Sequence, residues 1–116
     1  MTRRLEAGPH RPEALGLAVR GLWGVYVGDG CVTGAEPLEW LKVDAHAHVM
    51  DDPWAGWICI ADRSAVLTER GNPTQLLKHE LAHIICNTRS HDRRWRDEVT
   101  RLGAGREAKK YERTKK

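Results

Sequence analysis

Residues 76–83 of the chain read Leu-Leu-Lys-His-Glu-Leu-Ala-His, with two histidines four positions apart. At 100° per residue on an α-helix, His79 and His83 lie on one side of this stretch. The apolar residues with the same periodicity lie on the opposite side: Leu77, Leu81 and Ile84. The pattern predicts an amphipathic helix that packs one side on a core and turns both histidines toward a cleft.

Start and stop signals bound this helix. Asn72 is a suitable N-cap, Pro73 suits the first helical position, and Gln75 stands where a capping box has its N3 residue. The helical pattern ends at Asn87, which predicts a loop after it.

A second helix is predicted after that loop. Asp92 is its candidate N-cap, residues 93–102 form the helix, and Gly103 ends it. His91 therefore stands just before a capped helix that can fix its position.

The spacing of His79 and His83 is typical of a helical metal site, because side chains four positions apart can converge on one ion. The Glu80 carboxylate flanks such an ion and can act as general base toward a zinc-activated water. Catalytic zinc takes three protein ligands, and the next histidine is His91. The sequence thus predicts Zn²⁺ as cofactor and hydrolysis of peptide bonds as the reaction.

Residues 76–83, followed after a short loop by His-Asp-Arg-Arg-Trp at 91–95, resemble the SprT-like zinc metallopeptidases. The resemblance covers roughly residues 56–103 and implies a protein or peptide substrate. It implies three zinc ligands: His79, His83 and His91.

The resemblance also implies that Glu80 is the catalytic base and that Trp95 packs behind the site. The predicted strand at residues 56–62 would pair with an extended substrate. The sequence differs from the family in having Asp92 where a glycine is usual. It also has no cysteine-rich zinc ribbon, the element associated with a DNA-linked role in some members.

Two alternatives fit the same residues. One is a gluzincin-type peptidase, similar to phage and plasmid enzymes that cleave repressors, with Glu98 as the third ligand. The other is a non-catalytic, zinc-stabilised module that binds nucleic acid or protein. The longer H-E-x-x-H-x-x-G-x-x-H motif is excluded, because Cys86 occupies its glycine position and Arg89 its third histidine position.

The sequence before this helix predicts a small sheet and one more helix. Pro12 opens a segment with helical spacing of apolar residues: Leu15, Val19, Leu22 and Trp23. Residues 25–33 suggest a short strand and turn. Residues 43–50 and 56–62 alternate as strands do and are joined by a short Asp-Asp-Pro turn, which indicates an antiparallel pair.

We therefore expect an α+β fold of the minimal zincin type. It would contain an N-terminal helix, a small, mostly antiparallel sheet, the H-E-x-x-H helix and a second C-terminal helix. The whole chain, residues 1–116, is predicted to be a single domain, with a loose lead-in at 1–11 and a basic tail at 104–116.

His46 and His48 are two positions apart on one predicted strand, so both side chains share a face. The pair could bind a metal together, but the sequence places no third ligand beside it. The pattern favours a polar strand face over a metal site.

Composition is that of a globular protein, with 41% hydrophobic and 30% charged residues. The three cysteines include no C-x-x-C pair, which argues against a disulfide framework and predicts a reducing, cytoplasmic location. No stretch approaches the roughly 18 apolar residues of a membrane helix, so no membrane contact is predicted.

Charge is distributed unevenly along the chain. Residues 89–116 hold eleven Lys/Arg and five Asp/Glu, whereas residues 1–88 hold eight and eleven. The basic C-terminal region predicts weak, salt-sensitive binding to DNA that depends on residues after Gly103.

Overall fold

The computed structural model describes residues 2–3, 5–28, 44–61 and 64–111. Its strands are β1 (Thr2–Arg3), β2 (Gly8–His10), β3 (Gly24–Gly28), β4 (Ala45–Ala47), β5 (Trp57–Ala61) and β6 (Leu67–Thr68). A 3₁₀ helix, Pro12–Leu15, follows β2, and the α-helices are α1 (Gln75–Cys86), α2 (Arg93–Arg101) and α3 (Gly105–Lys109). The chain is a compact α+β domain. The predicted strand residues after Gly28, as far as residue 33, lie outside the described residues.

The main sheet has four strands in the order β2-β3-β5-β4. The predicted antiparallel pair is confirmed as β4 and β5, with His46 opposite Cys59 in the register. Strands β2 and β3 are also antiparallel, but β3 and β5 run parallel. The sheet is therefore mixed. Its two central strands are buried on both faces, as the parallel arrangement requires.

The N-terminal part differs from the prediction in two ways. The expected helix from Pro12 is only the one 3₁₀ turn, because Gly16 adopts a left-handed conformation (φ 71°) that ends it. Trp23, assigned to the apolar face of that helix, is 73% exposed. Residues 1–11 are not wholly a loose lead-in, since they contain β1 and β2, and β2 pairs with β3.

Helix α1 begins two residues later than its predicted cap. Thr74, not Asn72, is the N-cap, and its side-chain oxygen accepts a hydrogen bond from the Leu77 N–H. The helix ends as predicted at Asn87, which has a left-handed conformation with φ 50°. Its apolar side packs into the main core through the predicted residues: Leu77, Leu81 and Ile84.

Helix α2 begins at Arg93 as predicted and ends at Arg101, one residue earlier than predicted. The Asp92 side chain caps it by accepting a hydrogen bond from Trp95 N–H, and Gly103 follows its end with φ 95°. Residues 104–111 are not simply a tail, because Ala104, just before α3, and Ala108 of α3 pack against Trp95. Among the described residues, no helix has the length and apolarity needed to cross a membrane.

Candidate metal centre

Three imidazole rings meet at one point between α1 and the start of α2. Nε2 of His91 lies 3.2 Å from Nε2 of His83 and 3.2 Å from Nε2 of His79. The ligand atoms of all three residues lie within 4.8 Å of one another. The structure thus brings together the three histidines that the sequence predicts as ligands.

The hydrogen bonds of two rings fix which nitrogen carries the proton. Nδ1 of His79 donates to a Glu107 carboxylate oxygen at 2.9 Å, and Nδ1 of His83 donates to the Thr88 carbonyl oxygen at 2.8 Å. Both partners only accept. In the neutral rings the Nε2 lone pairs of His79 and His83 therefore point toward the shared centre.

Burial keeps these rings neutral. It lowers the pKa of His83 to about 4 and that of His91 to about 4, and it also lowers the pKa of His79 despite the hydrogen bond to Glu107. Neutral imidazole is the form that binds a metal ion.

The spacing of the nitrogens fits a small metal ion. With Zn–N bonds of about 2.0–2.1 Å and tetrahedral angles, two ligand nitrogens lie about 3.3 Å apart. The two 3.2 Å separations are close to that value. The site therefore has the donor atoms, tautomers and spacing to hold a metal ion with three imidazoles.

A short loop positions His91. Thr88 folds back on the end of α1, and its backbone N–H donates to the His83 carbonyl oxygen at 3.2 Å. Nη1 of Arg96, a buried residue, donates to the His91 carbonyl oxygen at 2.8 Å. Asp92, which differs from the usual glycine of the SprT-like pattern, is the N-cap described above. Capping and the arginine contact together hold the backbone on both sides of His91.

The indole ring of Trp95 packs against all three imidazole rings of the centre. Its indole ring is fully buried, and its centroid lies 4.7 Å, 5.2 Å and 4.5 Å from those of His79, His83 and His91. Its Nε1 donates to the His79 carbonyl oxygen at 3.2 Å. The packing position predicted for Trp95 is confirmed.

Two contacts with the centre come from residues that were predicted to lie in a basic tail. Glu107 of α3 accepts a hydrogen bond from Nδ1 of His79. The Tyr111 ring stacks on the His91 ring with a centroid separation of 3.7 Å. Lys110 donates to the other Glu107 oxygen at 2.8 Å. Although burial alone raises the pKa of Glu107, its hydrogen bonds with Lys110 and His79 lower it overall, so the carboxylate is ionised.

Glu80 is buried beside the three rings, with a carboxylate oxygen 4.0 Å from Nε2 of His79. Burial raises the pKa of Glu80 to about 8, and the negative charge of Glu107 adds to this effect. A divalent cation at the centre would favour the ionised carboxylate and so oppose the shift.

Glu80 opens on a pocket of about 200 Å³ between α1 and β4. The lining residues come from β4, α1 and the loop before α2: Ala45, His46, Ala47, Glu80, His83, Thr88, Arg89 and His91. Within the described part of the chain, β4 is the end strand of the sheet. Strand β5 is paired on both sides, by β3 and by β4, so the expected substrate-pairing role of residues 56–62 is wrong.

Glu98, the alternative third ligand, is not among the residues that meet at this centre. Its carboxylate instead forms an ion pair with Arg101, one turn along α2.

Several basic residues of α2 and α3 have contacts of their own within the chain. Contacts to carboxylates or backbone carbonyls are made by Arg93, Arg94, Arg96, Arg101 and Lys110.

Comparison of the chain with protein-family models, with curated proteins and with solved structures found no match.

Proposed function

We propose that the chain is a zinc metallopeptidase with a minimal zincin layout, similar to the SprT-like enzymes that its motif resembles. The supporting observation is the convergence of three imidazole Nε2 atoms beside a buried carboxylate at the wall of a pocket. His79, His83 and His91 would hold Zn²⁺, which suits a set of three neutral imidazoles. The fold, the motif and the site geometry support the same chemistry.

In this proposal the chain supplies proton transfer and orientation. Zinc bound by the three imidazoles would provide Lewis-acid polarisation of a carbonyl group and acidify a water molecule to a pKa of about 7. Glu80 accepts the proton of the attacking water and then donates it to the leaving amine nitrogen. Glu107 and the Thr88 carbonyl hold the rings of His79 and His83 in the orientation that presents Nε2.

The substrate would lie along β4. This strand is at the end of the described sheet, next to the pocket, and an extended peptide can add to such an edge by backbone hydrogen bonds. Residues Ala45–Ala47 would take the role that the sequence assigned to residues 56–62, because β4 ends the described sheet and contacts α1.

The choice of third ligand tests the proposal against its gluzincin alternative. We expect His91→Ala to bind one zinc ion fewer per chain than the wild type and to lose hydrolysis of an unfolded protein substrate. Glu98→Ala, the matched control on the neighbouring helix, should keep both, because Glu98 contacts Arg101 instead. Zinc content is measured by elemental analysis of the purified proteins.

The opposite pair of results, with zinc lost in Glu98→Ala and kept in His91→Ala, would contradict the three-histidine site. A wild-type protein that binds zinc but cleaves no unfolded protein or peptide would instead favour the non-catalytic module. In that case zinc removal should unfold the chain, which far-ultraviolet circular dichroism detects.

Glu107 provides a second prediction, which the sequence alone did not suggest. Glu107→Ala should weaken zinc binding by about 10–100-fold, because His79 loses the acceptor that orients its ring. Competition with a chromophoric chelator measures the affinity. Arg106→Ala, an exposed change on the same helix, is the control and should bind zinc normally. Equal affinities in the two variants would show that Glu107 does not support the site.

DNA binding by the basic C-terminal region stays a prediction. Several arginines of residues 89–116 already contact carboxylates or carbonyl oxygens within the chain. We therefore expect the protein to be retained on DNA only at low salt.

A further inference from the structure

A second group of side chains with metal-ligating atoms lies on strands β4 and β5 and on the residue that follows β4. His46 and Cys59 are directly opposite each other in the antiparallel register. His48 follows His46 on the same face, two positions along the chain. We call these three residues the strand cluster. The sequence suggested the two histidines but gave no third ligand, because Cys59 becomes their neighbour only when β4 and β5 pair.

The strand cluster is separate from the centre formed by His79, His83 and His91. Ala47 and Ile58, which alternate with the cluster residues along their strands, pack into the main core with the apolar side of α1. Cys59 belongs instead to a small apolar group with Ala61 and Tyr26. The alternation of side chains places Cys59 on the face of the sheet opposite Ile58, while His46, on the end strand, also borders the pocket beside the three-histidine centre.

The distances within the strand cluster fit one metal ion. Nε2 of His46 lies 3.2 Å from Nε2 of His48, and Sγ of Cys59 lies 3.5 Å from the same His48 nitrogen. With bonds of about 2.0–2.1 Å to nitrogen and 2.3 Å to sulfur, tetrahedral ligands are about 3.3 Å (N···N) and 3.6 Å (N···S) apart. All three ligand atoms lie within 4.8 Å of one another.

The Asp52 carboxylate orients the His48 ring, whose Nε2 lies close to both His46 and Cys59. Nδ1 of His48 donates to Asp52 Oδ2 at 3.1 Å, and the other Asp52 oxygen accepts from the Trp54 N–H at 2.7 Å. With its Nδ1 proton held by Asp52, the His48 ring turns Nε2 toward the cluster. Metal-bound histidines commonly have such a carboxylate partner on their other nitrogen.

We propose that His46, His48 and Cys59 bind a second transition-metal ion of the kind that two imidazoles and one thiolate hold, Zn²⁺ or copper. Cys59 is fully buried, and its Sγ already lies beside the His48 ring nitrogen, where a shared ion would be held. The cysteine would bind as thiolate and release its proton to solvent on binding. The ion would connect β4 to β5 at the side of the sheet away from α1.

Cobalt substitution distinguishes this site from the three-histidine centre. Only a cobalt–thiolate bond gives an intense near-ultraviolet charge-transfer band, and the three-histidine centre has no sulfur ligand. The full chain loaded with Co²⁺ should bind two ions and show this band. The double variant His79→Ala/His83→Ala should lose one ion and keep the band.

Variants of the strand cluster should give the reverse result. Cys59→Ser should lose one ion and the band, while Cys86→Ser, a change at another buried cysteine of the described chain, should keep both. His46→Ala, at a partly exposed end-strand residue, gives the same test if Cys59→Ser does not fold. A wild-type protein with no band, or a band that survives Cys59→Ser or His46→Ala, would overturn the proposal. The contacts within the cluster would then be hydrogen bonds and not metal ligation.

Discussion

Replacing Glu80 with glutamine is expected to lower the rate of peptide hydrolysis by about 10²–10⁴-fold while zinc content stays at the wild-type level. Glutamine has nearly the same shape as glutamate but cannot accept the proton of the attacking water. The three Nε2 atoms that would hold the metal belong to other residues, so their contacts are unchanged. Steady-state hydrolysis of a fluorogenic peptide, together with elemental analysis, measures both quantities.

Glu98→Gln is the matched control for this change. It also converts a glutamate to glutamine on a helix near the centre, but the carboxylate that it changes pairs with Arg101 and is not one of the groups that meet at the centre. Its activity should remain near that of the wild type. Loss of zinc from Glu80→Gln would make Glu80 a ligand, and full activity of Glu80→Gln would remove it from the mechanism.

Trp95→Ala should lower the free energy of unfolding by about 3–5 kcal/mol, the range found when a buried aromatic side chain is truncated. Trp95 is fully buried and supports two groups at once: the imidazoles of the centre and the apolar contact between α2 and α3. Since domains of this kind are stable by only about 5–15 kcal/mol, such a loss is a large fraction of the total. Urea unfolding followed by far-ultraviolet circular dichroism measures it.

The unfolding should be measured with a chelator present, because bound metal adds stability of its own to the native state. Trp95→Phe is the control. It keeps most of the packing but loses the hydrogen bond to the His79 carbonyl oxygen, so a smaller loss is expected. If Trp95→Ala unfolds at the wild-type urea concentration, Trp95 is not the support that its burial indicates.

Local patterns were sufficient to predict the helical part of the candidate centre. His79, Glu80 and His83 lie within five consecutive positions, and helical geometry alone puts them together. The Asp92 cap follows in the same way, because its acceptor group and its N–H partner are only three residues apart.

The contacts of α3 could not be predicted in this way. Glu107 is 28 positions from His79, and it reaches that ring only because the chain turns at Gly103 with φ 95°. A five-residue helix gives no periodic signal, and its basic composition looked like that of a solvated tail. The useful signal was the apolar pair Ala104 and Ala108, four positions apart.

The N-terminal segment and the central strands show a second reason for error. Helical spacing after Pro12 predicted a helix, but Gly16 and Gly21 adopt positive φ angles, and no helix continues through them. The parallel pairing of β3 and β5 joins segments that are distant in sequence, and alternation within each segment does not reveal the direction of its partner.

Strand β4 has only three residues, Ala45–Ala47. It contributes His46 to the strand cluster, and it also lines the pocket beside the three-histidine centre. Because the side chains of both faces are attached to the same three-residue backbone, a displacement of that backbone moves both faces together. If the strand cluster holds an ion and a peptide pairs with β4, as proposed above, the two binding events would share this strand and would be thermodynamically linked. Whatever factor the ion in the strand cluster applies to peptide affinity, the peptide must apply the same factor to the affinity for that ion.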